Sequence, residues 1–224
     1  MKIIIAGSEG LIGKSLSSHL EKEGHEVLKL DLSLGHDFTN ESFVKKFFKD
    51  NNADSLINLF AQMHHVDGTQ EKSTLFNISL DSFSKYMDIN LTALFSVCRE
   101  YARNNSYGSI INFSSTYGVV SPPTDLYDQE EKHIGYSVSK AGVLMLTKHL
   151  ATHLAPNIRV NTIIPGGIDN EQTDKFKKQY SAKTPLGRMM DVKELNGIMD
   201  YLISNKSSYT TGAEFKIDGG WTAW

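Results

Sequence analysis

Lys2-Ile3-Ile4-Ile5-Ala6-Gly7-Ser8-Glu9-Gly10-Leu11-Ile12-Gly13 begins with an apolar, β-branched run and then sets three glycines at intervals of three. The run predicts a strand over residues 2–6, buried on both faces. A helix to about residue 23 follows. Glycine between strand and helix permits a tight turn and lets backbone N–H groups and the helix N-terminus approach a pyrophosphate. A plain glycine-rich βα turn would read the same in isolation, so its meaning depends on the chain around it.

Outward from this turn, residues 26–30 read as a second strand. Asp31 follows, 18 residues after Gly13. An acid there can accept a ribose 2′-hydroxyl and repel a 2′-phosphate; the bland alternative is a solvated loop residue. Only the five residues 32–36 separate Asp31 from Asp37. A crossover between parallel strands needs about a dozen or more. The sheet should therefore have about six strands, with 26–30 at its edge.

Asn40 is a good N-cap for a helix to residue 50, with Phe43, Phe47 and Phe48 on its buried side. Residues 54–59 predict a strand ending in Asn58-Leu59-Phe60-Ala61. A long helix over 82–104 contains Asn90. Further strands are expected at 109–113, 159–164 and 214–217. Helices are expected at 136–154 and 191–204, with a short mobile one within 169–183. This alternation predicts an α/β fold: one Rossmann-type doubly wound parallel sheet, helices on both faces, in a single domain spanning residues 1–224.

Composition sets bounds. The chain has 224 residues, 40% apolar and 22% charged, which suits a globular protein with a substantial core. The net charge of −3 implies no basic face for nucleic acid. One cysteine, Cys98, excludes a disulfide within the chain and fits a reducing compartment. The apolar run at the N-terminus is too short for a signal peptide or a membrane span, so a cytoplasmic protein is expected. His64 and His65 are adjacent, but no cysteine or helix-spaced carboxylate accompanies them, and no metal site is expected.

The candidate chemistry lies between residues 115 and 140. Ser115 follows the apolar run 109–113, at the strand end where open α/β sheets place ligands. Tyr136 and Lys140 are four apart in a helical run, hence on one face. A neighbouring ammonium favours phenolate, so Lys140 is expected to lower the Tyr136 pKa and fit it for acid–base work.

Taken together, these residues resemble the short-chain dehydrogenase/reductase family over the whole chain. The matching pieces are the Gly7 turn, Asn58, Asn90, Ser115, Tyr136 with Lys140, Asn161 before Pro165-Gly166, and Asp218-Gly219-Gly220. The resemblance implies an NAD(P)-dependent oxidoreductase. Tyr136 would donate or accept the proton, Ser115 would hold the substrate oxygen, Lys140 would hold the nicotinamide ribose, and Asn90 would anchor a relay water. Gly7, Gly10, Leu11, Ile12, Gly13, Asp31, Asn58 and Ala61 would contact the cofactor, with Asp37 and Phe38 flanking the adenine. Pro165, Gly166 and Ile168 would line its nicotinamide end. Asp31, followed by Leu32 rather than a basic residue, favours NAD(H), with NADP(H) as the alternative.

Three departures stand out. The glycines follow the spacing of the family's extended branch, yet too few residues follow Lys140 to build that branch's substrate domain. Asn58-Leu59-Phe60-Ala61 replaces the usual Asn-Asn-Ala-Gly. Ser115 and Tyr136 are further apart than usual; the extra segment, 119–133, contains Pro122, Pro123, Asp125, Asp128, Glu130 and Glu131. It reads either as a solvated excursion or as an acidic wall over a polar substrate. Residues 115–120 are similar to oxidoreductases of surface-sugar and flagellin-modification pathways, which suggests a small polar carbonyl or alcohol, or a sugar derivative. Competing readings are a nucleotide-sugar epimerase or dehydratase with tightly bound NAD, and a non-catalytic dinucleotide sensor. The family suggests a homodimer or homotetramer, with Trp221 and Trp224 candidates for an interface.

Overall fold

The computed structural model describes residues 1–63, 74–127 and 132–224. His64, His65, Asp128, Glu130 and Glu131 lie outside the described residues. The strands are β1 (Lys2–Ala6), β2 (Glu26–Leu30), β3 (Ser55–Asn58), β4 (Gly108–Phe113), β5 (Ile158–Pro165) and β6 (Glu214–Ile217). They form one six-stranded sheet in the order β2-β1-β3-β4-β5-β6, parallel throughout. The chain leaves β1 towards β2 on one side and returns to β3 on the other. That reversal is the switch point where such sheets open a crevice at their carboxyl ends.

Side-chain alternation along β1 builds both layers. Ile4 and Ala6 face one layer with Val44, Phe48, Leu56, Val97, Ile110 and Val143. Ile3 and Ile5 face the other with Leu16, Leu20, Ile57, Ile111 and Met199. Ile3, Ile4 and Ile5 are fully buried, worth about 1.5–3 kcal/mol each relative to exposure. The first layer holds α2 (Glu41–Asp50), α4 (Leu94–Asn104) and α5 (Ile134–Leu154). The second holds α1 (Leu11–Lys22) and α7 (Asn196–Ile203).

The edge expectation holds. After β2, Asp31 caps a single 3-10 turn, Leu32–Leu34, closed by Gly35 at φ 85°. No strand lies outside β2 among the described residues. Asn40 caps α2 by accepting from Phe43 N at 3.2 Å.

Several boundaries differ from expectation. The long helix begins at Leu80, earlier than residue 82: α3 (Leu80–Met87) runs through a π-helical stretch, Asp88–Ala93, into α4. Ser79 sets this start by capping Ser82 N at 3.0 Å. The last helix is divided: Asp191 caps a 3-10 turn, Val192–Leu195, before α7 starts at Asn196. The helix within 169–183 is α6 (Asp174–Ala182), capped by Thr173. Trp221 is 6% exposed and stacks on Tyr180 with ring centroids 4.1 Å apart, so it belongs to the interior rather than to an interface. No helix among the described residues is long and apolar enough to cross a membrane.

Candidate active site

Ser115, Tyr136 and Lys140 meet where β4 ends against α5. Lys140 Nζ donates to the Phe113 carbonyl at 2.8 Å, and Ser114 Oγ donates to the Lys140 carbonyl at 2.7 Å. These bonds tie the end of the strand to the middle of the helix. Between them the chain makes a 3-10 turn, Thr116–Gly118, capped by Ser115 Oγ, which accepts from Tyr117 N at 3.1 Å. Gly118 presses on α5: a Cβ there would lie 2.7 Å from the Lys140 carbonyl carbon. The Ser115 hydroxyl lies near enough to Tyr136 to favour its phenolate. Tyr136 and Lys140 share the buried stripe of α5, with Nζ 6.0 Å from the tyrosine ring centroid.

The proton affinity of Tyr136 corrects the sequence expectation. Burial pushes the phenol above its ordinary value, and the nearby Ser115 hydroxyl only partly pulls it back. Burial likewise pushes Lys140 down to about 8. Both groups sit in a low-dielectric interior that disfavours their charged forms. The ammonium is aimed at a backbone carbonyl, and its field does not outweigh the desolvation of the phenolate.

Two residues brace this constellation. Asn90 lies in the π-helical stretch, a distortion often found at functional sites. Its Oδ1 accepts from Gln62 N at 2.6 Å, and its Nδ2 donates to Gln62 O at 3.2 Å and Ser139 Oγ at 3.0 Å. Asn90 thus joins the loop after β3 to α5. His133 is the second. It caps α5 by accepting from Gly135 N at 3.0 Å, bonds Ser82 Oγ at 3.0 Å and stacks on Tyr86 at 4.3 Å. Sequence reading assigned His133 to the insert. Its signal was its place just before a helix start, a cap position that histidine seldom fills.

The glycine turn lies at the opposite lip. Gly7 adopts φ 91°, and a Cβ there would lie 2.5 Å from Phe60 N. A Cβ on Gly13 would collide with the Gly7 carbonyl. Gly10 caps α1 without a side-chain bond, and no acid occupies the first turn. The nearby Glu9 carboxylate is taken up by Lys14 at 3.9 Å and Ser8 Oγ at 3.3 Å, and the uncapped α1 N-terminus at Leu11 and Ile12 fits a phosphate. Asp31 accepts from Ser33 N at 2.9 Å, Ser33 Oγ at 2.8 Å and Glu9 N at 3.2 Å. Burial raises its pKa, but these bonds outweigh that and hold it below the ordinary carboxylate value.

The other expected cofactor residues lie at or just beyond the ends of β2, β3 and β5. Asp37 accepts from Thr39 N at 2.9 Å and Thr39 Oγ1 at 2.7 Å. Phe38 is buried, 4.5 Å from the Phe60 ring. The Asn58 side chain turns into the helical layer, donating to Asn112 Oδ1 at 2.9 Å and Cys98 Sγ at 3.4 Å. Ala61 is half-buried beyond β3. Pro165 pairs with Ile217, and Gly166 packs so closely on Asp218 that a Cβ would lie 2.9 Å from its Cα. Ile168 bridges to Met190, and its carbonyl accepts from Gln172 Nε2 at 2.9 Å.

An aromatic cluster that sequence reading missed flanks the constellation: Tyr86, Tyr117, Tyr127, Tyr136, Tyr180 and Trp221. Tyr127 donates to the Tyr117 hydroxyl at 2.9 Å, and Tyr180 accepts from Gly167 N at 2.5 Å. These residues come from five separate segments, so no local pattern announces them. The insert's Asp125 turns away, onto Lys183 at 2.8 Å.

Comparison with known proteins agrees with this geometry. The family model described as enoyl-(acyl carrier protein) reductase matches residues 8–222. The 3-oxoacyl-[acyl-carrier-protein] reductase FabG of Rickettsia bellii is 31% identical, over 97% of this chain and 95% of the relative. Post-translational flagellin modification protein A of Campylobacter coli is 28% identical, over 98% and 97%. A short chain dehydrogenase from Leptospira borgpetersenii, solved with bound NAD+, superposes with a TM-score of 0.86 at 29% identity, covering 99% of this chain and 92% of that one. A full-length match of this kind, joined to the sheet order and the β4–α5 junction, makes this chain a member of the short-chain dehydrogenase/reductase family, an enzyme acting on CH–OH and C=O groups.

Proposed function

We propose that this enzyme interconverts a small polar carbonyl and its alcohol, with Tyr136 as the proton donor and acceptor and NAD(H) as the preferred cofactor. The convergence of the Ser115 hydroxyl, Tyr136 and Lys140 at the end of β4 carries the reading. The nicotinamide supplies or takes the hydride; the protein supplies orientation and electrostatics. Ser115 holds the substrate oxygen beside the Tyr136 hydroxyl. In reduction, Tyr136 gives its proton to the developing alkoxide; in oxidation, it takes the alcohol proton. Lys140 sits close enough to stabilise the phenolate that reduction leaves behind.

The same residues fit the cofactor. The uncapped α1 N-terminus suits the pyrophosphate, and Gly7 and Gly13 leave no side chain in the turn. A carboxylate offers about four lone-pair sites. Asp31 has three accepted hydrogen bonds, which leaves one site for a ribose hydroxyl. Its negative charge disfavours a 2′-phosphate, hence NAD(H) over NADP(H). The whole chain, residues 1–224, works as one catalytic unit in this reading. The test is oxidation of NADH and NADPH against keto sugars, small aldehydes and small ketones. Turnover of such carbonyls that disappears in Tyr136→Phe supports the reading; turnover that persists in the variant overturns it.

A further inference from the structure

The insert brings a charged group to Tyr136 that the chemistry above does not use. Lys132 lies four residues before Tyr136 in the chain. Its Nζ sits 4.5 Å from the centroid of the Tyr136 ring and donates to the Met63 carbonyl at 3.1 Å. Burial lowers its pKa, and among the described residues no carboxylate opposes that shift. An ammonium has three donors. Among the described residues, one goes to Met63, one faces the ring, and one is left. A partly buried ammonium with no counter-charge among the described residues is unfavourable, and an anionic ligand relieves part of that cost.

The surroundings favour a ligand there. Lys132 lines a cleft of about 400 Å³ whose walls include Tyr117, Val120, Tyr127, Ile134 and Val138. A single charge in an otherwise largely apolar wall is the arrangement that orients a small ligand by one end. The charge lies over the same ring whose hydroxyl lies near Ser115. An anion held by Lys132 would therefore stand beside the Tyr136 ring.

We propose that Lys132 is a specificity residue that holds the carboxylate of a small hydroxy- or keto-acid substrate and turns its carbonyl carbon towards Tyr136. This inference rests on the oxidoreductase reading above and narrows its substrate class. One free donor suits one carboxylate oxygen. The rival role is structural: the ammonium would brace the Tyr136 ring through its π face alone.

Two measurements separate these roles. The first is calorimetric binding of butyrate, an unreactive carboxylate, to the NAD+-loaded protein. Saturable binding that weakens at least tenfold in Lys132→Met and stays within a few fold in Lys132→Arg supports the proposal, provided NAD+ affinity is unchanged. Absent binding, or equal binding by wild type and Lys132→Met, overturns it. The second compares kcat/KM for acetoacetate and its neutral methyl ester with NADH. An acid preference of tenfold or more that collapses in Lys132→Met supports the carboxylate role. Equal losses for acid and ester assign Lys132 to bracing the ring and overturn it. Butyrate binding through Lys132 without reduction of acetoacetate would overturn the substrate role, whereas the carbonyl-reduction reading falls only if no carbonyl of the broader screen is reduced.

Discussion

The Lys140 ammonium is bonded to the carbonyl of Phe113, the last residue of β4, at 2.8 Å. One side chain thus anchors the strand that carries Ser115 and sits 6.0 Å from the ring of Tyr136. Lys140 is structural and electrostatic at once. Its loss leaves a buried carbonyl unpaired, a penalty of about 1–3 kcal/mol.

That dual role sets the first prediction. Tyr136→Phe should cut turnover by about a hundredfold or more, the lower range of general acid–base effects, while NADH binding stays near wild type. Lys140→Ala should reduce turnover and cofactor affinity together and lower the melting temperature. Steady-state kinetics, NADH fluorescence titration and thermal unfolding of both variants check this. Near-normal turnover in Tyr136→Phe would sink the mechanism.

Burial of Lys140 also makes stability depend on pH. Its pKa falls from 10.5 to about 8 in the folded state. Between those values the unfolded chain holds the proton and the folded one does not, so this group's contribution to stability rises with pH. Below about pH 8 both states are protonated and the contribution is flat. Wild type should therefore gain melting temperature relative to Lys140→Met as pH rises from 8 to 10. Parallel curves for the two proteins would contradict the assignment.

The proposed role of Asp31 in cofactor choice sets a further prediction. In the proposed reading, Asp31→Ala removes the charge that would disfavour a 2′-phosphate and the acceptor for a ribose hydroxyl. The NADH preference should narrow, by weaker NADH binding and stronger NADPH binding. Dissociation constants for both cofactors decide it. A wild-type enzyme that binds NADPH more tightly would overturn the preference itself.

The sheet was legible because its signals are local. The Ile3–Ile5 run, the glycine turn and the five-residue gap after Asp31 each dictate one feature of β1, α1 and the edge at β2. Tyr136 and Lys140 were legible for the same reason, one helical turn apart. The direction of the Tyr136 pKa was not. It depends on how much water the fold removes from the ring, and burial set by Tyr117, Tyr127 and β4 outweighs the neighbouring ammonium. The aromatic cluster and Lys132 were hidden because tertiary packing, not spacing, assembles them.

His133 tests whether the start of α5 places the tyrosine. His133→Ala removes the cap on Gly135 N, the bond to Ser82 and the stack on Tyr86. Cap loss alone costs about 1 kcal/mol. The expected result is a lower melting temperature and a reduced kcat, with NADH affinity little changed. His133→Asn, which can still cap, should recover part of both. A kcat equal to wild type in His133→Ala would show that Tyr136 is held from β4 alone.

The described part of the insert packs against the body of the protein. Leu126 is 2% exposed, Tyr127 donates to Tyr117 at 2.9 Å, and the Tyr127 ring stands 5.7 Å from Phe176. Pro122 and Pro123 fix the backbone at its start. Its Asp125, in contrast, faces Lys183 with its side chain 68% exposed. Two point changes should therefore diverge. Asp125→Ala breaks an exposed ion pair of small worth and should leave the substrate KM unchanged. Tyr127→Ala opens the wall beside Tyr117 and should raise KM severalfold with NADH affinity intact. Replacing residues 121–127 by a Gly-Ser link should raise KM further. It should also lower stability, since losing a buried leucine costs about 2–5 kcal/mol. Substrate KM, NADH dissociation constant and melting temperature, measured on the three proteins, give the answer. If the link variant keeps the wild-type KM and substrate range, the segment shapes no substrate site. If Asp125→Ala raises KM as much as Tyr127→Ala, carboxylate contacts rather than aromatic packing select the substrate.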